Sequence, residues 1–182
     1  MEVLKTKIDG LFVFKPKVFI DTRGLFYESW KANKYKELGI NEEFLQDNIS
    51  ISYKNVLRGL HFQKETHTQG QLVTPIYGRV FDACIDLRPG STTFGEHVSF
   101  NLNHEDLFQI YMSPGIAHGF CVLSDYAILS YKCTKYYAPH SEGGIIWNDT
   151  ELLIPWPISN PIISKKDLGN ISFSEYRSSL SD

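Results

Sequence analysis

Short apolar stretches separated by turn-forming residues make up most of this sequence. In the segment 81–88, FDACIDLR, apolar residues at the odd positions alternate with three charged residues and a cysteine at the even positions. A period of two is typical of a β-strand, because successive side chains point to opposite faces of a sheet. The pattern predicts one buried face and one largely exposed face for this strand.

Further strands are predicted wherever short apolar runs lie between turn signals such as Pro89-Gly90, Pro114-Gly115 and Gly143-Gly144. The predicted strands are 51–53, 56–62, 71–77, 79–87, 97–102, 107–112, 119–123, 127–136 and 144–147. Many short strands with little helix favour an all-β fold of the sandwich or jelly-roll type.

Helix is predicted at two places only. The segment 31–38 can form a short helix, with Ser29 as a candidate N-cap and Gly39 as a candidate end. The segment 174–180 can form a second short helix near the C-terminal end.

Three prolines, Pro155, Pro157 and Pro161, fall within the segment 152–163. Proline removes a backbone donor, so this segment can be neither a helix nor a central strand. We predict an ordered strap that lies over the barrel and buries Trp156 and the isoleucines of the strap.

The length and the composition predict a single domain over residues 1–182, with a core of about 15–150 and a C-terminal strap and short helix in 151–182. Lysine and arginine number 18 and aspartate and glutamate number 21, for a net charge of −3. Without a basic excess we expect no nucleic-acid or membrane partner. The 12 Phe, 10 Tyr and 3 Trp suit a β-rich core and a pocket that stacks rings.

The first ten residues carry four charges, and no apolar run is long enough to span a bilayer. Three widely spaced cysteines, Cys84, Cys121 and Cys133, form no CxxC pair. These features predict reduced thiols in a cytoplasmic protein.

Two segments carry histidines in a suggestive context. The first is 58–63, RGLHFQ, which contains His61, and the second is 113–120, SPGIAHGF, which contains His118. Two separated strand histidines resemble the two motifs of the cupins. The His-x-His pattern of metal-binding cupins is absent, so three protein ligands for a metal cannot be assembled from the sequence. For an isolated strand histidine, a structural role is the alternative interpretation, and His67, His104 and His140 are expected to be solvated.

Several blocks together resemble the dTDP-4-dehydrorhamnose 3,5-epimerase family, metal-free cupins that epimerise nucleotide-linked 4-keto-6-deoxysugars. The resemblance extends from about residue 15 to residue 167. It rests on 19–28 (FIDTRGLFYE), 46–50 (QDNIS), 56–63 (VLRGLHFQ), 86–88 (DLR), 93–95 (TFG), 114–120 (PGIAHGF), 131–137 (YKCTKYY), Glu142, 147–149 (WND) and 166–167 (KD).

The resemblance implies a catalytic set of His61, Tyr131 and Asp167, with no metal and no cofactor. Epimerisation beside a ketone requires a base, an acid on the other face of the ring and donors for the enolate oxygen. His61 would be the base, Asp167 would pair with it, and Tyr131 would be the acid. Without the resemblance, Tyr131 would be interpreted as a buried strand tyrosine and Asp167 as a helix N-cap.

The resemblance also implies the residues that bind the nucleotide sugar. Arg23 and Arg58 would bind the diphosphate, since guanidinium groups form bidentate contacts with phosphate. The other implied contacts are made by Phe26, Glu28, Gln46 and Asn48, from a neighbouring subunit, together with His118 in the sugar pocket and Tyr137 near the base or sugar. The implied assembly is a homodimer in which an N-terminal strand crosses to the partner's sheet.

Arg58 and His61 are three positions apart and would point to opposite faces of a regular strand. Both can reach one pocket only if the strand is irregular. Gly59 is the position where a bulge is expected.

One position departs from the family pattern. The family has Gln-x-Lys-Leu-Val where this chain has Gln69-Gly70-Gln71-Leu72-Val73, so Gln71 replaces a lysine that offsets the enolate charge. Three explanations stay open: a neutral donor is sufficient, another cation such as His67 substitutes, or the substrate differs. A changed substrate is our preferred expectation, for example a GDP-linked heptose instead of a dTDP-linked hexose, with C3 alone or both C3 and C5 inverted.

Three other functions are compatible with the sequence. A metal-free cupin could move the ketone from C4 to C3 as a ketoisomerase. A cupin that lost catalysis could bind a sugar nucleotide without reacting. A metal-dependent cupin would use His61 and His118 as ligands.

Overall fold

Two antiparallel β-sheets pack face to face in the computed structural model, which describes residues 1–180. The last two positions of the predicted domain, 181–182, lie outside the described residues. The strands are β1 (Glu2–Lys5), β2 (Leu11–Lys15), β3 (Val18–Asp21), β4 (Gly24–Tyr27), β5 (Gln46–Tyr53), β6 (Leu57–Gln63), β7 (Gln71–Tyr77), β8 (Arg79–Asp86), β9 (His97–Asn103), β10 (Gln109–Met112), β11 (Ile116–Val122), β12 (Tyr126–Cys133) and β13 (Glu142–Gly144). The helices are α1 (Ala32–Lys36), α2 (Lys165–Leu168) and α3 (Phe173–Ser178), and a 3₁₀ turn covers Pro139–Ser141. The prediction of an all-β, cupin-like sandwich is confirmed.

The first sheet has the strand order β1-β2-β10-β7-β12-β5, and the second has the order β13-β6-β11-β8-β9. Between them lies a core of apolar side chains from both sheets, such as Val73, Ile110 and Leu129 from the first and Cys84 and Val122 from the second. The strands β3 and β4 form a separate two-stranded hairpin. Within residues 1–180, none of the helices is long and apolar enough to cross a membrane.

The strand β8 is buried on both faces, so the prediction of one largely exposed face is wrong. The even positions Asp82, Cys84 and Asp86 are each 0% exposed. Cys84 points into the core between the sheets. The odd positions lie under the C-terminal segment instead of facing solvent: Phe81 packs in one cluster with Trp156. The core between the sheets encloses the even face and the C-terminal segment covers the odd face, so neither face of β8 reaches solvent.

The segment 152–163, predicted as a strap, is irregular and packs against the second sheet. Trp156 is half-buried rather than buried, and its indole N–H donates to the Trp147 carbonyl at 2.7 Å. Ile162 is 60% exposed, contrary to the prediction. The strap is the outermost layer here, so one of its sides faces solvent.

The first helix was placed correctly, but its predicted cap is wrong. The helix α1 begins after Lys31, which provides no side-chain cap, and ends at Lys36. Ser29 contributes its carbonyl to the Gln109 side chain at 2.9 Å, which ties this segment to β10. Gly39 follows the helix with a φ of +92°, a conformation that favours glycine.

The helix predicted at 174–180 corresponds to α3, which starts one residue earlier. Ser172 and Glu175 form a capping box at its start, because each side chain bonds the other's backbone N–H. Five predicted strands have a boundary that differs by two residues or more: 51–53, 107–112, 119–123, 127–136 and 144–147 are observed as β5, β10, β11, β12 and β13.

Candidate active site

A cavity of about 350 Å³ opens between the two sheets and collects most of the predicted site residues. The first sheet contributes mainly polar side chains: Gln46, Asn48 and Ser50 from β5, Gln71 and Val73 from β7, and Leu129, Tyr131 and Cys133 from β12. The second sheet contributes Arg58, His61, Phe62, Gln63, His118, Phe120 and Glu142, and connecting segments contribute Gln69 and Tyr137. The cavity therefore combines amides, two imidazoles, two phenols, a carboxylate and a guanidinium.

His61 and Asp167 form a hydrogen-bonded pair at the cavity wall. His61 Nε2 lies 2.9 Å from Asp167 Oδ1, and the Gly59 backbone N–H donates to Oδ2 at 3.2 Å. Because a carboxylate only accepts, Nε2 carries the proton and the neutral ring keeps its lone pair on Nδ1. Burial raises the pKa of Asp167, but the bonds from His61 and Gly59 outweigh it and hold the pKa below its usual range. Asp167 is thus an ionised partner that fixes the ring's tautomer.

The short helix α2 delivers Asp167 to this position. Its N-cap is Ser164, whose hydroxyl accepts from the Asp167 backbone N–H at 3.0 Å. Asp167 itself lies in the first turn and is 4% exposed, so the alternative interpretation of Asp167 as the N-cap is wrong.

An irregularity in β6 lets Arg58 and His61 share one cavity, as predicted from their spacing. His61 pairs with His118 and Arg58 pairs with Phe120, so three steps on β6 match two on β11. Gly59 takes a φ of +123°, and a Cβ built there would lie 2.4 Å from the Gly119 Cα. The predicted bulge at Gly59 is confirmed.

His118 has a carboxylate partner of its own that the sequence analysis missed. His118 Nδ1 lies 3.1 Å from Oδ2 of Asp82, which is 0% exposed. The signal for Asp82 was present in its even position on β8, but that face was predicted to be exposed. His118 and His61 pair across neighbouring strands, so two imidazole–carboxylate pairs stand side by side.

Tyr131 reaches the cavity from the opposite sheet, where β12 pairs it with Asn48 on β5 and Val73 on β7. Burial is the main cause that raises the pKa of Tyr131, and Cys133 and Glu142 add to it while Arg58 opposes it. The phenol is therefore protonated at neutral pH and can donate a proton.

The other predicted binding residues divide into two groups. Six of them line the cavity: Gln46, Asn48, Arg58, Gln71, His118 and Tyr137. Gln46 and Asn48 belong to the chain's own cavity, which corrects the expectation that a neighbouring subunit supplies them. They are local because β5 pairs directly with the strand that carries Tyr131.

Arg23, Phe26 and Glu28 do not reach this cavity. Arg23 is paired with Asp21 inside the β3–β4 hairpin, and Phe26 is 65% exposed. Glu28 is paired with Lys34 beside α1.

Unpartnered polar atoms mark the inner part of the cavity. Among residues 1–180, the side-chain oxygens of Ser50, Gln69 and Gln71 are buried and have no hydrogen-bond partner. Buried polar atoms are normally paired, so these three atoms are available to a ligand. Gln71 thus presents a neutral amide where the family pattern has a lysine.

The remaining histidines lie outside the cavity. His67 bonds Ser141 Oγ at 3.0 Å and packs edge-on against His140, so His67 does not supply the cation that Gln71 lacks. His104 bonds the Gly78 carbonyl at 3.2 Å. In the described part of the chain, no group of three His, Cys, Asp or Glu side chains is arranged to hold a metal ion.

The fold and the cavity define the class: this is a cupin-like β-sandwich enzyme with acid–base groups on both walls of one cavity. The family model described as dTDP-4-dehydrorhamnose 3,5-epimerase matches residues 5–175. The chain is 47% identical to the enzyme of that name from Shigella flexneri over 174 residues, which cover 95% of this chain and 96% of the relative. The chain therefore belongs to the dTDP-4-dehydrorhamnose 3,5-epimerase family, and it is an isomerase.

Solved structures of similar proteins agree with this family assignment. The dTDP-4-dehydrorhamnose 3,5-epimerase from Elizabethkingia anophelis has a TM-score of 0.92 and 44% identity, covering 96% of this chain and 97% of that chain. A Legionella pneumophila dTDP-6-deoxy-D-glucose-3,5-epimerase in complex with dTDP-4-keto-L-rhamnose has a TM-score of 0.90 and 46% identity, covering 94% and 92%.

Proposed function

We propose that this protein inverts C3 and C5 of a dTDP-linked 4-keto-6-deoxyhexose, and not of the GDP-linked heptose that was preferred from Gln71 alone. Relatives named as 3,5-epimerases match at 36–49% identity, whereas a structure named as a 3'-monoepimerase matches at 26%. The Legionella relative binds dTDP-4-keto-L-rhamnose, a 4-keto sugar. The observation that carries the proposal is the placement of His61–Asp167 and Tyr131 in one cavity.

The reaction begins with proton removal next to the C4 ketone. His61 accepts the proton at Nδ1, and the ionised Asp167 stabilises the imidazolium that results. A carbon acid beside a ketone is far weaker than an imidazolium, and each unit of pKa mismatch costs about 1.36 kcal/mol. The site must therefore stabilise the enolate as well as supply the base.

Donors around His61 serve the enolate oxygen. Asp82 holds His118 through Nδ1, so the other ring nitrogen, when protonated, can donate to the oxygen. The Gln71 amide can donate too, without a charge. One strong oxyanion donor contributes about 2.7–4 kcal/mol, so an additional neutral donor can complement a charged one.

Tyr131 completes the inversion from the opposite face. Its phenol is neutral at pH 7 and faces the cavity from the sheet opposite His61. After His61 removes the proton from one face, Tyr131 returns a proton to the other. C3 and C5 both flank C4, so one enolate-stabilising site serves both carbons.

Arg58 is suited to the diphosphate of the substrate. Its Nε–H donates to the Ser52 hydroxyl at 2.9 Å, which leaves the two terminal guanidinium nitrogens to bind phosphate oxygens. Gln46, Asn48 and Tyr137 lie along the same cavity and would contact the nucleotide or the sugar.

We further propose a homodimer in the cytoplasm. A two-stranded hairpin is marginal by itself, yet β3 and β4 expose Phe19, Ile20 and Phe26 at 51%, 80% and 65%. The edge strand β5 also exposes Ile49 at 71%. Exposed apolar surface of this kind favours a partner, and a second copy would bring Arg23, Phe26 and Glu28 to a site.

The three cysteines are free and buried, in keeping with a reducing compartment.

The test is incubation with a dTDP-4-keto-6-deoxyhexose in deuterated water, followed by NMR. We expect deuterium at C3 and C5 and inverted products, and His61→Ala should abolish exchange at both carbons. If deuterium exchanged only into a GDP-linked 4-keto heptose, the proposed substrate would be wrong. If it exchanged into neither sugar, the proposed function would be refuted. A ketone at C3 in the product would identify a ketoisomerase.

A further inference from the structure

A second carboxylate stands beside the His61–Asp167 pair. Glu142, on β13, has a side chain that is only 12% exposed. Its Oε2 accepts hydrogen bonds from both Lys166 Nζ and Tyr137 Oη. Lys166 is 60% exposed, so the carboxylate is the enclosed member of the ion pair.

The sheet register places this carboxylate near His61. The strand β13 pairs with β6 so that Glu142 lies opposite Gln63 and Gly144 lies opposite His61. Glu142 is therefore the diagonal neighbour of His61, at about 7–8 Å between equivalent atoms of the two residues. Both side chains line the main cavity and a second opening of about 420 Å³ beside α2.

The helix α2 connects the two carboxylates. Lys166 bonds Glu142, and the next residue, Asp167, bonds His61. This one turn of helix thus supplies Lys166 as the cation for Glu142 and Asp167 as the carboxylate for His61. Burial raises the pKa of Glu142, but the bonds from Lys166 and Tyr137 and the nearby His61 lower it below the ordinary value, so Glu142 is ionised.

We propose that Glu142 is a positioning residue for the base: its carboxylate stabilises the charged form of His61, and Lys166 limits that effect by pairing with it. The proposal rests on the proposed function, in which His61 alternates between neutral and charged forms. Without Lys166, Glu142 would stabilise the imidazolium more strongly. Without Glu142, the positive charge of Lys166 would no longer be offset and would destabilise the imidazolium.

Other charged or titratable groups that surround His61 stay unchanged in the test. They are Arg58 on β6, His118 with Asp82 on the neighbouring strands β11 and β8, Tyr131 on β12, Tyr137 before β13, and Asp167 on α2. Opposite effects from removing Glu142 and Lys166 can therefore be assigned to these two charges.

The experiment compares the full-length wild type with Glu142→Gln, Lys166→Met and Lys165→Met. Lys165 is the matched control, because it is the preceding residue of the same helix and does not line either opening. The titration midpoint of the His61 ring is followed by NMR with labelled histidine. The pH dependence of deuterium exchange into the dTDP-4-keto sugar is measured in parallel.

We expect Glu142→Gln to lower the His61 midpoint by about one pH unit, since one charge at this separation has an effect of that order. Lys166→Met should raise it by a similar amount, and Lys165→Met should leave it unchanged. The acid limb of the exchange profile should move in the same directions. Thermal unfolding of each variant separates these shifts from loss of structure.

Shifts in the same direction for both variants, or a midpoint that neither variant moves, would overturn the proposal. The ring titration does not require turnover. Wild-type protein that fails to exchange deuterium would thus refute the proposed function, while unmoved midpoints in an active enzyme would refute only the role of Glu142.

Discussion

Replacing Asp167 with asparagine tests the core of the mechanism, because it changes one charge and almost no volume. The carboxylate accepts from His61 Nε2 at 2.9 Å and from the Gly59 N–H at 3.2 Å. Asparagine has one acceptor oxygen, so only one of these two donors can keep its partner. If the amide N–H turns to the ring, His61 must shift its proton to Nδ1 and lose the lone pair that faces its substrate.

The magnitude follows from the bond that is lost. A hydrogen bond to a charged group contributes about 1.5–3 kcal/mol, and about 1.36 kcal/mol corresponds to a tenfold change in rate. Asp167→Asn should therefore slow deuterium exchange by about 10- to 150-fold from the charge alone. The unfavourable tautomer would increase that loss.

The assay is the rate of deuterium entry at C3 and C5 under saturating substrate, with Asp125→Asn as a control in an exposed turn whose Asp125 side chain is 96% exposed. An Asp167→Asn enzyme that retains exchange within threefold of the wild type would refute the reasoning.

Three further predictions concern the acid, the bulge and a buried ion pair. Tyr131→Phe should keep part of the deuterium wash-out yet lose inversion, as NMR of the product would show; normal inversion would exclude Tyr131 as the acid. Gly59→Ala should lower the unfolding free energy by more than about 2 kcal/mol, because a Cβ there would lie 2.4 Å from the Gly119 Cα at a positive φ; an unchanged melting temperature would contradict this. Burial raises the pKa of Asp86, but hydrogen bonds, the largest from Arg88, hold that pKa well below its usual range. The ionised Asp86 therefore stabilises the fold above the unfolded pKa of 3.8, and this stabilisation declines as the pH falls. Asp86→Asn should thus cost about 3 kcal/mol at pH 7 and much less near pH 2 in urea titrations, and an equal cost at both would be the contrary result.

The strands of the two packed sheets were largely predictable from the sequence, because alternation and turn residues act locally. The hairpin β3–β4 and the N-terminal strands β1 and β2 were missing from the predicted strands, since four- and five-residue strands give little periodic signal. The prediction that one face of β8 is largely exposed was wrong for a different reason. The segment that covers its outer face lies more than 60 residues later in the chain, and no local pattern encodes that contact.

The candidate site shows the same limit. The bulge at Gly59 could be inferred from the spacing of Arg58 and His61, because strand geometry alone forbids a shared face. The pairing of His61 with Asp167 spans 106 positions and was available only through resemblance to a family. The Asp82 partner of His118 and the position of Glu142 depend on strand register, which the sequence does not reveal.

The separation of His61 from Asp167 has a consequence for synthesis on the ribosome. Chains fold from the N-terminal end as they are made, so both sheets can assemble before α2 emerges. Until then the imidazole has no carboxylate to orient it, and the outer face of β8 has no cover. A nascent chain of this protein would hold a nearly complete sandwich and remain inactive until its final segment docks.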